Sequence, residues 1–199
     1  MKRGSPSRRL AGPWLLAGAL AMLAACASER PQPAPRPCPS EASSAAAIDP
    51  PLLAFLSKAR SLHHQADVAE AEQDAPRAVG ALERIVAEPP PKPLAGRPEV
   101  EEVLSDAFAR LAELRTGQGD FGRASADIER GLTHATEPSY FRGHLFEVRG
   151  LVEERHADAL AREGKGDDAK QARRRAIEAS EEAVRIQDEV IRRAVGGKP

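Results

Sequence analysis

Residues 105–138 read SDAFARLAELRTGQGDFGRASADIERGLTHATEP, and the spacing of their apolar side chains decides the fold. Ala107, Leu111 and Leu114 extend a stripe begun by Val100 and Leu104, at intervals of three and four. That is the period of a helix burying one face. Glu99, Glu101 and Glu102 suit its positive end. Gly117 and Gly119 break it, Asp120 is placed to cap the next helix, and Phe121, Ala124, Ile128, Leu132 and Ala135 form a second face. The stretch is a helical hairpin.

Working outward, the same arithmetic predicts two more hairpins. On the upstream side Leu52, Phe55, Ala59, Leu62, Ala66 and Ala69 form one stripe; Asp74 and Pro76 start a second helix with Ala78, Leu82 and Ile85. Prolines 89, 90, 91 and 93 stop it, giving a Pro-rich loop over 89–98. Downstream, Pro138 opens a fifth helix carrying Phe141, Leu145, Val148, Val152 and Ala159, and Gly164 to Gly166 turns the chain into a sixth. Ala169, Ala172, Ala176, Ala179, Ala183, Ile186 and Val190 make that last helix an alanine-rich heptad seam. No strand-like alternation of comparable length appears.

Composition agrees. Of 199 residues 41% are apolar and 30% charged, only seven are aromatic and 37 are alanine, a mix that favours helices over sheets. The expected class is all-α, three antiparallel hairpins over residues 50–197. A formal charge of −1 argues against a nucleic-acid binder, which needs cations gathered on one face.

The central hairpin resembles a tetratricopeptide repeat through Phe108, Leu111 and Ala112, then Gly119-Asp120-Phe121 at the turn, then Ala124, Ile128 and Gly131. Weaker copies run through Leu62, Ala66, Ala69, Asp74, Ala78, Leu82 and Ile85, and through Ala157, Gly164, Ala169 and Ala176. The small residues Ala78, Ala124 and Ala169 are spaced by 46 and 45 positions, wider than the family's repeat of about 34. A plain six-helix bundle accounts for the same stripes.

The resemblance implies a concave groove lined by the first helix of each pair. Helical periodicity then projects Arg60, His63, Asp67 and Glu70 into it from the first pair, Asp106 and Glu113 from the second, and Glu154 and Asp158 from the third. Such a groove is expected to be acidic and to take a basic or extended segment of another envelope protein, opposed charges speeding encounter. The competing reading is an ordinary solvated face.

The cell envelope enters through the N-terminus. Lys2, Arg3, Arg8 and Arg9 precede an uncharged run, Leu10 to Ser28, which is the layout of an export signal. Leu23-Ala24-Ala25-Cys26 resembles the lipobox of bacterial lipoproteins. The resemblance implies cleavage after residue 25 and fatty acylation of Cys26; the absence of Asp at position 27 implies the outer membrane, periplasmic face, in Gram-negative bacteria. A retained spanning helix is the competing reading, weakened by Pro13 and the Gly/Ala content. Several acyl chains anchor a protein stably where one is marginal. Cleavage removes four of the 29 basic residues and none of the 30 acidic ones, taking the formal charge from −1 to −5. Residues 26–49, rich in Pro, Ala and Ser, read as a tether, in which Cys38 is left to remain free or bridge to another chain.

No cofactor is expected. Glu153 with His156 gives Glu-x-x-His once, where a di-iron bundle needs it twice; His63, His64 and Asp67 fall short of a zinc set, and Cys38 is isolated. No nucleophile elbow, phosphate loop or deaminase pattern is present, and His134 and His144 read as surface residues. The leading expectation is therefore a non-catalytic scaffold or assembly factor anchored in the envelope. The alternative is a structural spacer that self-associates through its alanine heptads.

Overall fold

The computed structural model describes residues 49–87 and 89–196. The expected signal peptide, Cys26, Cys38 and all of the expected tether except Asp49 lie outside the described residues. The described chain folds as six helices: α1 (Pro50–Ala71), α2 (Ala75–Val86), α3 (Pro98–Gly117), α4 (Phe121–His134), α5 (Tyr140–Arg162) and α6 (Gly166–Gly196). It is all-α, in three antiparallel hairpins, as the periodicity predicts.

The caps explain where helices begin. Asp74 accepts a hydrogen bond from the Arg77 N–H and Asp120 one from the Arg123 N–H, both at 3.1 Å. Each satisfies a donor that the first turn leaves unpaired. The fifth helix starts at Tyr140 rather than Pro138, because Ser139 is the residue that caps it, accepting from Arg142 N–H at 3.2 Å.

All three hairpins close through one turn. Asp74 N–H donates to Ala69 C=O, Asp120 to Arg115 and Lys165 to Leu160, at 2.8–2.9 Å. The preceding residues Gln73, Gly119 and Gly164 have φ of 60°, 78° and 77° and donate to Glu70, Thr116 and Ala161. This is the Schellman arrangement, whose left-handed position favours glycine. Immediately beyond each turn Ala78, Ala124 and Ala169 are buried, as are Ala66, Ala112 and Ala157 on the first helix of each pair. The same backbone device and small-residue contacts thus recur at the 46- and 45-residue spacing read from the sequence.

The hairpins stack in order. α2 packs on α1 and α3, α4 on α3 and α5, and α1, α3 and α5 touch in succession, whereas α2, α4 and α6 do not touch one another. The first helices therefore form one layer and the second helices the other. Phe108 and Leu82 sit in the core shared by α1–α3, and Ile128, Leu145 and Val152 in that of α3–α5. Leu94, inside the Pro-rich loop, is also buried in the first of these cores, so this segment contributes to packing as well as linking.

The alanine seam of α6 is spent within the chain. Ala169, Ala172, Ala179, Ala183 and Ile186 are buried against α5. Gly150 of α5 completes the close approach: a Cβ there would lie 2.8 Å from Ser180 Oγ and 3.4 Å from Ala176 O. Burial of the seam against α5 leaves few of these alanines to face a second chain.

Candidate binding face

The face of α3 turned toward α1 carries Asp106, Arg110 and Glu113, three and four residues apart and hence on one side of the helix. Opposite it, α1 presents His63, Asp67 and Glu70. The guanidinium of Arg110 joins the two helices, donating to Asp67 at 2.8 Å and Glu70 at 2.6 Å. It also reaches His63 Nδ1 at 3.2 Å, while His63 Nε2 lies 3.8 Å from Asp106. Since a guanidinium only donates, Nδ1 accepts, leaving the imidazole neutral with its proton on Nε2, toward Asp106. Burial pulls the His63 pKa below its ordinary value; Asp106 opposes this and Arg110 adds to it.

Glu113 differs from its neighbours. It forms no ion pair among the described residues. Desolvation raises its pKa, with the carboxylates of Glu70 and Asp106 adding to the rise against the pull of His144 and Arg110.

Of the eight residues projected into a groove, His63, Asp67, Glu70 and Asp106 are brought together around Arg110, with Glu113 at the edge of their field. Arg60 lies one turn back along α1, lining a cleft with His63 and Asp106 of that cluster and with Leu56, Glu102 and Phe141. Glu154 and Asp158 border a separate groove between α5 and α6, where Asp158 pairs with Arg173 at 3.4 Å. Arg110 was absent from the projection, and Arg155, which lines the α3–α5 junction beside Glu113, was absent too. Arg110 was detectable, because the periodicity that selects Asp106 and Glu113 also selects it. The face is therefore a mosaic of both signs, where an acidic groove was expected.

The remaining candidates take structural roles. Glu153 holds Arg175 through two hydrogen bonds, of 3.0 and 2.8 Å, and His156 stacks on Phe121 at 4.8 Å. His134 and His144, expected at the surface, are half-buried: His134 stacks on Phe108 at 5.7 Å with Nδ1 2.6 Å from Glu101, and His144 stacks on Tyr140 at 6.0 Å. Planar rings on helix faces cover their apolar neighbours, which a charge-based reading overlooks. Among the described residues no group of three or more His, Cys, Asp or Glu is arranged to hold a metal ion, and no helix is long and apolar enough to cross a membrane.

Fold and face together define a class: an all-α chain of three stacked helical hairpins with a charged mosaic along the first helix of each pair. No family model matches the chain, and neither a curated protein nor a solved structure matches it.

Proposed function

We propose that this protein is a non-catalytic scaffold or assembly factor of the bacterial envelope, held by acyl chains on Cys26 at the periplasmic face of the outer membrane. Its α1–α3–α5 face holds a basic or extended segment of another envelope protein. The observation that carries the reading is Glu113, an exposed carboxylate beside the Arg110 cluster that forms no ion pair among the described residues. A partner's Lys or Arg placed there would meet a carboxylate that no cation among the described residues already holds. The adjoining Arg110 network fixes the surface around it, so little side-chain freedom remains to be lost on binding. The tetratricopeptide-like spacing and the three equivalent turns favour a face built by repetition, and the lipobox residues favour the location.

Cross-linking in intact cells, followed by identification of the attached proteins, tests the role. The Glu113→Lys variant is expected to lose the captured partner while retaining its helical circular dichroism. Undiminished capture would reject this face. The anchor is tested separately by weighing the mature chain, which should begin at Cys26 and carry fatty-acyl mass.

A further inference from the structure

α6 differs from the other second helices. α2 and α4 are each flanked by first helices on both sides, whereas among the described residues α6 packs on α5 alone. That flank is apolar where solvent would favour charge: Ile177, Val184 and Ile191 recur every seven residues and Val195 follows one turn on, with 58%, 61%, 58% and 85% of their surfaces exposed. They lie on a different side of the helix from the alanine seam. Beside Ile177 runs a groove of about 620 Å³ between α5 and α6, floored by Leu151 and Ala176. Glu147, Glu154, Asp158 and Glu181 border it, against a single cation, Arg173, which is paired to Asp158.

We infer that this edge of the stack is a docking site for an amphipathic helix of another protein, apolar on one stripe and basic on the flank that meets the α5 carboxylates. A seven-residue apolar repeat on a straight helix is matched by a second helix lying along it, whose own apolar residues fill the spaces between Ile177, Val184 and Ile191. The charge around the groove selects the occupant. A Lys- or Arg-rich flank is complementary to it, whereas a second copy pairing antiparallel through the same stripe would set Glu181 and Asp188 against the acids of its twin. The inference deepens the scaffold reading by giving the partner's chemistry at the α5–α6 end, and it does not depend on the lipid anchor.

The test uses the full chain and three synthetic peptides followed by fluorescence anisotropy. One is an amphipathic helix with leucine heptads and lysine elsewhere, the second its glutamate counterpart, and the third the leucine–lysine composition scrambled. The first is expected to bind at least about tenfold more tightly than either of the others. Ile177→Asp with Val184→Asp, both at exposed positions, should abolish that binding, and Glu154→Lys should weaken it about tenfold and flatten its salt dependence. Equal binding of the scrambled peptide, indifference to Ile177→Asp, or a dimer of the unliganded chain that dissolves on Ile177→Asp would each overturn the inference. Glu113→Lys should leave peptide binding unchanged while abolishing cross-linking in cells, so failure of this site and failure of the α1–α3 face are read from different variants.

Discussion

Arg115 of α3 and Asp127 of α4 form an ion pair inside the second hairpin, at the positions where the first hairpin carries Ala69 and Ala81 and the third carries Leu160 and Ala172. Asp127 is 2% exposed, and burial raises its pKa even though Arg115 pulls it down. Arg115 also donates to Glu83, which ties α2 to the pair. Removing one member of such a pair strands the other away from water; replacing both with apolar groups does not. Asp127→Ala is therefore expected to destabilise the fold by about 3 kcal/mol. The double variant Arg115→Leu, Asp127→Ala, which copies the third hairpin, should return to within about 1 kcal/mol of the parent. Urea unfolding of the three proteins checks this, and a double variant no more stable than Asp127→Ala would mean that the pair itself holds the hairpin together.

Gln73 is the one described non-glycine residue in the left-handed region, at φ 60°, where the equivalent turns have Gly119 and Gly164. A Cβ there costs about 1–2 kcal/mol, of which glycine's greater freedom in the unfolded chain takes back roughly half. Gln73→Gly should accordingly stabilise the protein by about 0.5–1 kcal/mol and raise its melting temperature by a few degrees. Gly119→Gln should do the reverse. A thermal melt in which Gln73→Gly lowers the midpoint would show that the Gln73 side chain is itself a stabilising contact.

The helices were legible because buried apolar residues recur every three or four positions, and the caps because Asp74 and Asp120 each stand before such a run. Where the physics is not periodic, sequence was silent. Leu94 is a single apolar residue among prolines, so nothing marks it as core. Gly131 is singled out by the repeat resemblance alone and not by periodicity, yet a Cβ there would lie 2.6 Å from Leu145 Cδ2, so its absence is what lets α4 and α5 approach. Asp127 and Arg115 carry charges, and residue type alone puts charge outside. The binding face was legible in part, since periodicity placed His63, Asp67, Glu70 and Asp106 together, but Arg110, at their centre, was not among the residues projected.

Lys165 stands in the third turn where Asp74 and Asp120 cap the other second helices, its carbonyl accepting from Ala169 N–H at 3.0 Å as theirs do from Ala78 and Ala124. A cation at that place opposes the positive end of α6, and lysine cannot accept a bond from the first-turn amides. Its ion pair with Glu163 at 2.8 Å is fully exposed and contributes little against this. Lys165→Asp is expected to raise the melting temperature by a few degrees and to slow amide exchange in the first turn of α6. If exchange in that turn quickens instead, the Glu163 pair outweighs the missing cap.

His63 gives the α1–α3 face a pH dependence whose sign is fixed by its surroundings. Its pKa lies below the ordinary 6.5 because burial disfavours the imidazolium, with Arg110 acting in the same direction and Asp106 against it. Between the folded value and 6.5 the unfolded chain binds a proton that the folded chain does not, so this residue's contribution to stability is present above pH 6.5 and declines as the pH falls toward the folded pKa, below which no further loss accrues. The imidazole shift followed by NMR titration should place its midpoint under 6.5. Asp106→Asn should lower that midpoint further, whereas Arg110→Ala should raise it, since the guanidinium leaves and Asp67 is released to face the ring. A midpoint above 6.5 in the parent would mean that Asp106 outweighs burial, and the neutral tautomer assigned from the Arg110 contact would then be wrong.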